Sequence, residues 1–202
     1  MTSSFERFAG LCAVLAGLVG LLYAIAFIIV ARSASGLGGL LSALFLMVGS
    51  LLSTPVLIAL YRRLRESEPA FALWALLLGT VGAVGAAIHG GFDLANAIHP
   101  PASVPADLPS QIDPRGLLTF GFTGIGLFVL AWLIGRSGRF PVGLAYVGYL
   151  LAILLVILYL GRLLILAPTS PLILIPALLT GFVVNPAWYI WLGLVLLRGR
   201  GA

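Results

Sequence analysis

Six long apolar runs, separated by short polar connections, constrain the fold of this chain more than any other feature. A helix needs about 20 apolar residues to cross the hydrocarbon core of a bilayer, and each run is about that long or longer. The runs cover residues 8–31, 37–61, 70–97, 116–134, 141–166 and 172–197. They are continuously apolar rather than alternating, which favours helices over the strands of a membrane barrel. The sequence therefore predicts an all-α polytopic membrane protein, a bundle of six transmembrane helices that forms a single transmembrane domain over residues 1–202.

The composition agrees with lipid as the main solvent. Hydrophobic residues make up 61% of the chain and charged residues 8%, whereas about 25% of a typical soluble domain is charged. All 11 basic residues are Arg, which excludes Schiff-base chemistry on a lysine. The one cysteine, Cys12, cannot form an intrachain disulfide or a cysteine metal cluster. Because the Arg residues lie at helix ends rather than on one basic face, the net charge of +5 does not indicate nucleic-acid binding, and we predict no metal and no cofactor.

The distribution of Arg predicts the orientation of the helices. The side on which the chain begins and ends holds eight Arg residues: Arg7, Arg62, Arg63, Arg65, Arg136, Arg139, Arg198 and Arg200. The other side holds Arg32, Arg115 and Arg162. Because basic residues concentrate on the cytoplasmic side of membrane proteins, we expect both termini in the cytoplasm of a bacterial-type inner membrane. The longest external connection, about residues 98–115, is rich in Pro and is expected to form an extended strap.

The third run carries a stripe of small and polar residues at helical spacing. Its members recur at intervals of three or four residues and are Gly82, Gly85, Ala86, His89, Asp93 and Asn96. Such a stripe is expected to face other helices, because an Asp or His side chain that faces lipid is costly.

The fifth run offers a partner for this stripe, since Tyr159 and Arg162 lie on one of its faces. Counted at 1.5 Å per residue from the basic side, His89 and Arg162 both reach a depth of roughly 27–32 Å. This matched depth would allow Arg162 to pair with Asp93, with His89 and Tyr159 nearby, and the sequence leaves the pair as a hypothesis. Two interpretations stay open. One is a polar outer-leaflet pocket, in which His89 exchanges protons and Arg162 holds an anion or the Asp93 carboxylate, and the other is a structural ion pair that joins two helices. Without a pair, Arg162 could also simply extend outward to the membrane surface.

The sixth run contains Asn185 followed by Pro186, near the middle of the predicted helix. Pro removes a helical hydrogen bond and can break or kink the helix, and either Asn185 or Thr180 could bond the carbonyl that is freed. Broken helices line substrate sites in some transporters, but a single kink is also ordinary in membrane helices.

The hydroxyl groups of the second run are expected to bond their own helix around Pro55. These residues are Ser50, Ser53 and Thr54, and their depth is wrong for a nucleophile that His89 would activate.

Two segments resemble a known group of proteins. "ALYRRLRESEPAFA" (residues 59–72) and "NPAWYIWLGLVLLR" (residues 185–198) resemble segments of an uncharacterised bacterial multi-helix integral membrane family, defined only as a domain of unknown function. The resemblance covers most of the chain. It implies a six- or seven-helix protein of the bacterial inner membrane, and it implies no substrate and no catalytic residues.

Three classes of function are compatible with these features. The leading hypothesis is a non-catalytic protein, either an accessory or scaffold subunit of a membrane complex or a binder of lipid or of a small apolar ligand. The second is a small-solute or proton-coupled transporter that uses the His89, Asp93 and Arg162 cluster. The third is an outer-leaflet lipid-modifying enzyme, in which His89 and Asp93 would act as base and orienting group.

Each class predicts a different interior. A scaffold predicts a packed bundle, a transporter predicts a cavity that reaches the middle of the membrane, and an enzyme predicts an outer cleft with His89, Asp93 and a nucleophile or metal. The expected surroundings are the lipid bilayer and, for a scaffold, membrane protein partners or further copies of the chain.

Overall fold

The computed structural model describes residues 3–100, 115–165 and 170–199. In this part of the chain there are six helices long and apolar enough to cross a membrane, and there are no strands. We number them α1 (Ser4–Ser33), α2 (Ser35–Leu64), α3 (Pro69–Ile98), α4 (Leu117–Ser137), α5 (Val142–Leu164) and α6 (Pro171–Arg198). The prediction of six membrane-length helices is confirmed. Most of the Pro-rich connection, residues 101–114, lies outside the described residues.

Local chemistry explains where several helices begin and end. The Ser3 hydroxyl accepts a hydrogen bond from the Glu6 amide at 3.2 Å and caps the start of α1. Pro69 and Pro171 occupy the first turns of α3 and α6, where the missing N–H costs nothing. The residues that follow α4 and α6, Gly138 and Gly199, have φ angles of +65° and +63°. Gly adopts this left-handed conformation without steric strain, so both helices end there.

The six helices form a ring in chain order. Each helix packs against the helix before it and the helix after it, and α6 returns to pack along α1. Consecutive helices are antiparallel, which gives the ring two ends. We call the end at which α1 begins and α6 ends the terminal face, and the other end the opposite face.

The outside of the ring is apolar on every helix. Large hydrophobic side chains that are 40% exposed or more occur on all six, for example Leu18, Leu51, Leu77, Phe128, Leu150 and Leu194. A water-facing surface of this kind would be unfavourable, whereas lipid tails accommodate it at no cost. The exterior of the ring is therefore compatible with an integral membrane protein.

The ring closes where the backbones of α1 and α6 approach each other. A Cβ atom placed on Gly193 would lie 2.7 Å from the Gly10 carbonyl oxygen, and one placed on Gly10 would lie 3.0 Å from the Gly193 carbonyl oxygen. Only residues without a side chain permit this contact, which is the usual means by which membrane helices gain van der Waals contact.

The interior of the ring is filled near the terminal face. A continuous core there joins all six helices through Ala9, Cys12, Ala13, Leu60, Leu64, Ala72, Leu133, Ile134, Leu144, Leu192 and Leu196. Charged groups close the same end from outside.

Three charged contacts make up this closure. Arg63 pairs with Glu6 at 2.9 Å, and Arg139 donates to the Arg63 carbonyl oxygen at 3.0 Å. Arg139 also bonds Glu66, and this hydrogen bond lowers the pKa of the Glu66 carboxyl below its usual value. The contacts tie the start of α1, the end of α2 and the connection between α4 and α5 together.

The Gly10–Gly193 contact makes a prediction about stability. Gly193→Ala would force α1 and α6 apart and is expected to destabilise the folded protein by about 1–3 kcal/mol, the usual cost of overpacking. Thermal unfolding of the purified protein in a mild detergent measures the change. Gly39→Ala is the matched control, because no atom lies within 4 Å of a Cβ placed there, and its unfolding temperature should be unchanged or higher. If the two variants unfold alike, the ring does not depend on this contact.

Candidate functional site: a central cavity with a polar end

A cavity with a volume of about 470 Å³ occupies the centre of the ring, and residues from all six helices line it. On α3 its wall extends from Gly79 to Asp93, a distance of about 21 Å at 1.5 Å per residue. The cavity is thus long and narrow. It begins above the terminal-face core and reaches the opposite face, where the Asp93 side chain is 41% exposed.

A chain of four polar side chains forms one wall of the cavity near the opposite face. His89 and Asp93 lie one turn apart on α3, and the His89 Nε2 is 3.2 Å from the Asp93 Oδ2. The other carboxylate oxygen, Oδ1, accepts a hydrogen bond from Arg115 at 2.8 Å. On the far side of the imidazole, the Thr119 Oγ1 lies 3.0 Å from the His89 Nδ1. His89 and Thr119 are buried. We refer to Thr119, His89, Asp93 and Arg115 as the polar chain.

The chemistry of the polar chain follows from its donors and acceptors. A carboxylate only accepts hydrogen bonds, so the His89 Nε2 carries the hydrogen that faces Asp93. In neutral imidazole the Nδ1 then accepts the hydrogen of the Thr119 hydroxyl. This order of hydroxyl, imidazole and carboxylate can hold a proton or polarise the hydroxyl group. It also satisfies polar groups that would otherwise be buried without partners.

The predicted pair of Arg162 and Asp93 is not formed. Both Asp93 oxygens already have partners, and no ion pair joins Asp93 to Arg162 in the residues that the structure describes. Depth alone suggested the pair, but Arg115 reaches Asp93 from the adjacent helix, while its guanidinium lies 5.3 Å from the Phe92 ring.

Arg162 nevertheless lies on the wall of the cavity, as do His89 and Asp93. Tyr23 of α1 lines the same end, close enough to Arg162 and to Asp93 to experience both charges. Two other predicted members of the site do not line the cavity. Asn96 lies one turn beyond Asp93, and the Tyr159 ring packs against α4, 3.5 Å from a Cβ placed on Gly121.

Sequence reasoning missed three residues of this site: Tyr23, Arg115 and Thr119. Arg115 was predicted at the end opposite to the termini, where the structure places it, but it was treated only as a topology signal. Thr119 lies four residues after Arg115, hence on the same side of a helix. That spacing was the signal that could have identified both residues.

Away from the end that holds the polar chain, no charged residue of the described part of the chain lines the cavity, and much of its surface is aliphatic. Several of its hydroxyl groups donate to the carbonyl oxygens of their own helix: Ser42 to Gly39 at 3.0 Å, Ser50 to Leu46 at 2.7 Å and Ser53 to Ser50 at 2.7 Å. Thr54 bonds Leu51 in the same way, at 2.8 Å. The prediction that the hydroxyls around Pro55 bond their own helix is confirmed. These donors are not available to a ligand.

Of the two alternatives for Asn185 and Pro186, a broken helix or a kink, the structure has no break, because α6 continues through both residues to Arg198. A π-helical segment, Thr180–Val184, precedes them and accommodates the hydrogen bond that Pro186 cannot make. Asn185 lines the cavity, with its amide nitrogen 2.4 Å from a Cβ placed on Gly20. Thr180 does not bond the freed carbonyl, since its buried hydroxyl has no partner within the described part of the chain.

Three π-helical segments line the cavity. They are Ile25–Val30 in α1, Leu117–Phe122 in α4 and Thr180–Val184 in α6, and they contribute Phe27, Thr119 and Thr180, among other residues, to the wall. π turns are rare and concentrate at functional sites. Within the described ranges, no group of three or more His, Cys, Asp or Glu is placed to hold a metal ion.

Comparison with known proteins does not identify the chain. No family model, no curated protein and no solved structure matches it. The resemblance to the bacterial membrane family stays a prediction, and the case for function rests on the cavity.

The polar chain makes a prediction about coupling between its members. Asp93→Asn and Arg115→Gln remove the same contact, so their effects on the free energy of unfolding should be non-additive by about 0.5–3 kcal/mol. Asp93→Asn and Arg162→Gln should be additive to within about 0.5 kcal/mol. Titration with a denaturing detergent measures the free energy of unfolding of the three single variants and of the two double variants, Asp93→Asn with Arg115→Gln and Asp93→Asn with Arg162→Gln. A larger coupling between Asp93 and Arg162 than between Asp93 and Arg115 would contradict this geometry.

Proposed function

We propose that this protein binds a small amphipathic molecule inside the six-helix ring, with the polar part of the ligand at the opposite face. The observation that carries the proposal is the cavity itself, which all six helices line and whose charged residues, within the described part of the chain, all lie at one end. Its volume of about 470 Å³ is within the usual range for small-molecule sites, about 300–1,000 Å³.

A ligand-binding role accounts for the interior better than a scaffold role does. A purely structural bundle would be expected to pack its centre as it packs the terminal-face core, because an empty interior loses van der Waals contacts. Here the small residues Gly82, Ala83 and Ala86 of α3 face the cavity and leave space. The three π-helical segments support the same interpretation.

We propose further that the protein spans a bacterial-type inner membrane with both termini in the cytoplasm. The terminal face carries Arg62, Arg63, Arg65, Arg136 and Arg139, and positively charged ends favour the cytoplasmic side. The cavity would then open away from the cytoplasm. The lipid bilayer surrounds the ring, and additional membrane protein partners or copies of the chain would pack on its apolar exterior.

Reporter fusions in a bacterial host test this orientation. A green fluorescent protein fused after residue 202 should fluoresce, because it folds in the cytoplasm, and one fused after Ala34 should not. Alkaline phosphatase, which is active only outside the cytoplasm, should give the opposite pattern. The reverse result at both positions would refute the orientation.

The ligand proposal is tested by mass spectrometry of the small molecules that stay bound during purification in membrane discs excised with a polymer. We expect one class of amphipathic molecule, in near-stoichiometric amount. Ala83→Phe fills the cavity and should abolish the enrichment, because Ala83 is buried on its wall. Val84→Phe is the matched control, since Val84 is 46% exposed on the outside of α3. Equal enrichment by both variants, with both folded, would refute the proposal.

A second candidate is a lipid-modifying enzyme, and the contact that favours it is the one between Thr119 and His89. A hydroxyl, an imidazole and a carboxylate in hydrogen-bonded order are the parts of an activated nucleophile. Mass spectrometry of the lipids distinguishes an enzyme from a binder.

An enzyme would hydrolyse an added ester lipid to its free acid. Thr119→Val, which conserves shape and removes the hydroxyl, would stop this conversion. A binder would leave the lipid intact, and a transporter would instead move it between the leaflets of a reconstituted vesicle.

A further inference from the structure

The charges at the polar end of the cavity do not cancel. Three charged residues line the cavity within the described chain: Asp93, Arg115 and Arg162. Arg115 and His89 take the two oxygens of Asp93. Arg162 has no ion pair in the described residues, which leaves one positive charge on the cavity wall.

Arg162 faces the interior of the ring rather than the lipid. Along α5, Leu151, Leu155 and Leu158 line the cavity at helical spacing, and Arg162 continues this series by one turn. The lipid-facing series on the same helix is a different one and includes Leu160 and Leu164, which are 43% and 75% exposed. A guanidinium that only extended to the membrane surface would be expected on that outer series.

The surroundings of Arg162 suit an anion. The Tyr23 hydroxyl lies at the same end of the cavity and can donate a second hydrogen bond. Asp93, which would repel an anion, is engaged by Arg115 and His89. A charge that has no ion pair among the described residues is costly at this depth, and a negatively charged group of a ligand would remove that cost through a charge-assisted hydrogen bond.

The shape of the cavity restricts the rest of the ligand. The cavity has a volume of about 470 Å³ and extends along about 21 Å of α3, so it is elongated. An elongated space of this size suits one extended hydrocarbon chain. No charged residue lines the cavity below the polar end in the described part of the chain.

We infer that the ligand is a single-chain amphiphile with an anionic head group, whose carboxylate or phosphate binds Arg162 and Tyr23 and whose hydrocarbon chain lies along the cavity toward the terminal face. This inference rests on the proposed function, because it names the class of molecule that the same cavity takes. A free fatty acid and a single-chain phosphate share this chemistry.

The test compares four probes that differ only in the head group. Hexadecanoate, hexadecyl phosphate, hexadecanol and hexadecyltrimethylammonium are added to the delipidated full-length protein in mild detergent, and native mass spectrometry measures the affinity of each. At least one anion should bind about tenfold more tightly than the alcohol, the effect of one charge-assisted hydrogen bond, and the cation should bind more weakly than the alcohol. Which anion binds better distinguishes the two sources.

Two variants assign the preference to Arg162. Arg162→Gln should reduce the affinity for the anion to that of the alcohol and leave the affinity for the alcohol unchanged. Arg162→Lys keeps the charge and should retain part of the preference, which also shows that the position tolerates substitution. Arg32→Gln is the matched control, because Arg32 is exposed at the same face and does not line the cavity.

The possible failures are distinguishable. If all four probes bind equally well, or if Arg162→Gln keeps the preference for anions, the head-group inference is wrong while the proposed ligand cavity stands. If the protein binds none of the single-chain probes, but copurifies with another molecule that Ala83→Phe displaces, the inference again fails alone. If nothing binds and nothing copurifies, the proposed function and the inference are both refuted.

Discussion

The contact between the first and the last helix is the interaction on which the rest of the structure depends. Lipid tails are as apolar as the side chains that face them, so helices in a membrane associate through close packing rather than through the hydrophobic effect. Gly10 and Gly193 permit α1 and α6 to touch backbone to backbone. This contact turns a row of six helices into a closed ring, and only a closed ring has an interior that all six helices share.

The two ends of the ring use charge in different ways. At the terminal face, Glu6 with Arg63 and Glu66 with Arg139 hold neighbouring segments together over a filled core. At the opposite face, part of the charge lines the cavity, and one guanidinium is not neutralised by its described neighbours. One end of the molecule is therefore closed, and the other leaves charged side chains on the wall of a cavity. This asymmetry connects the fold to the proposed function.

The sequence was sufficient to predict the helices but not their arrangement around the ring. Six apolar runs determine six membrane-length helices, because backbone groups in lipid must be satisfied within each segment. The helical period also placed His89 and Asp93 correctly on one interior face. The partner of Asp93 could not be predicted, because depth in the membrane is known from residue counting whereas rotation about the helix axis and the choice of neighbour are not. Arg115 and Arg162 lie near the same end of the ring, and only the packing order of the helices decides which of them contacts Asp93.

The π-helical segments are a second reason why the sequence predicted the helices but not which of their faces line the cavity. Each one changes the phase of the helix beyond it, so a face counted from one end of α4 does not match a face counted from the other. Pro186 was a visible cause for the segment in α6, but α1 and α4 contain no Pro within their π segments. For those two helices the sequence offered no local signal.

These segments let one helix present different chemistry to the two parts of the cavity. A π turn contains one residue more than an α turn, and one residue corresponds to a rotation of about 100° about the helix axis. In α4 the π segment holds Thr119, which lies 3.0 Å from the His89 Nδ1, and Leu127 and Leu130 beyond it line the cavity further from the polar chain. The surplus residue offsets these two stretches in rotation while α4 stays continuous, so the wall changes in character without a break in the helix.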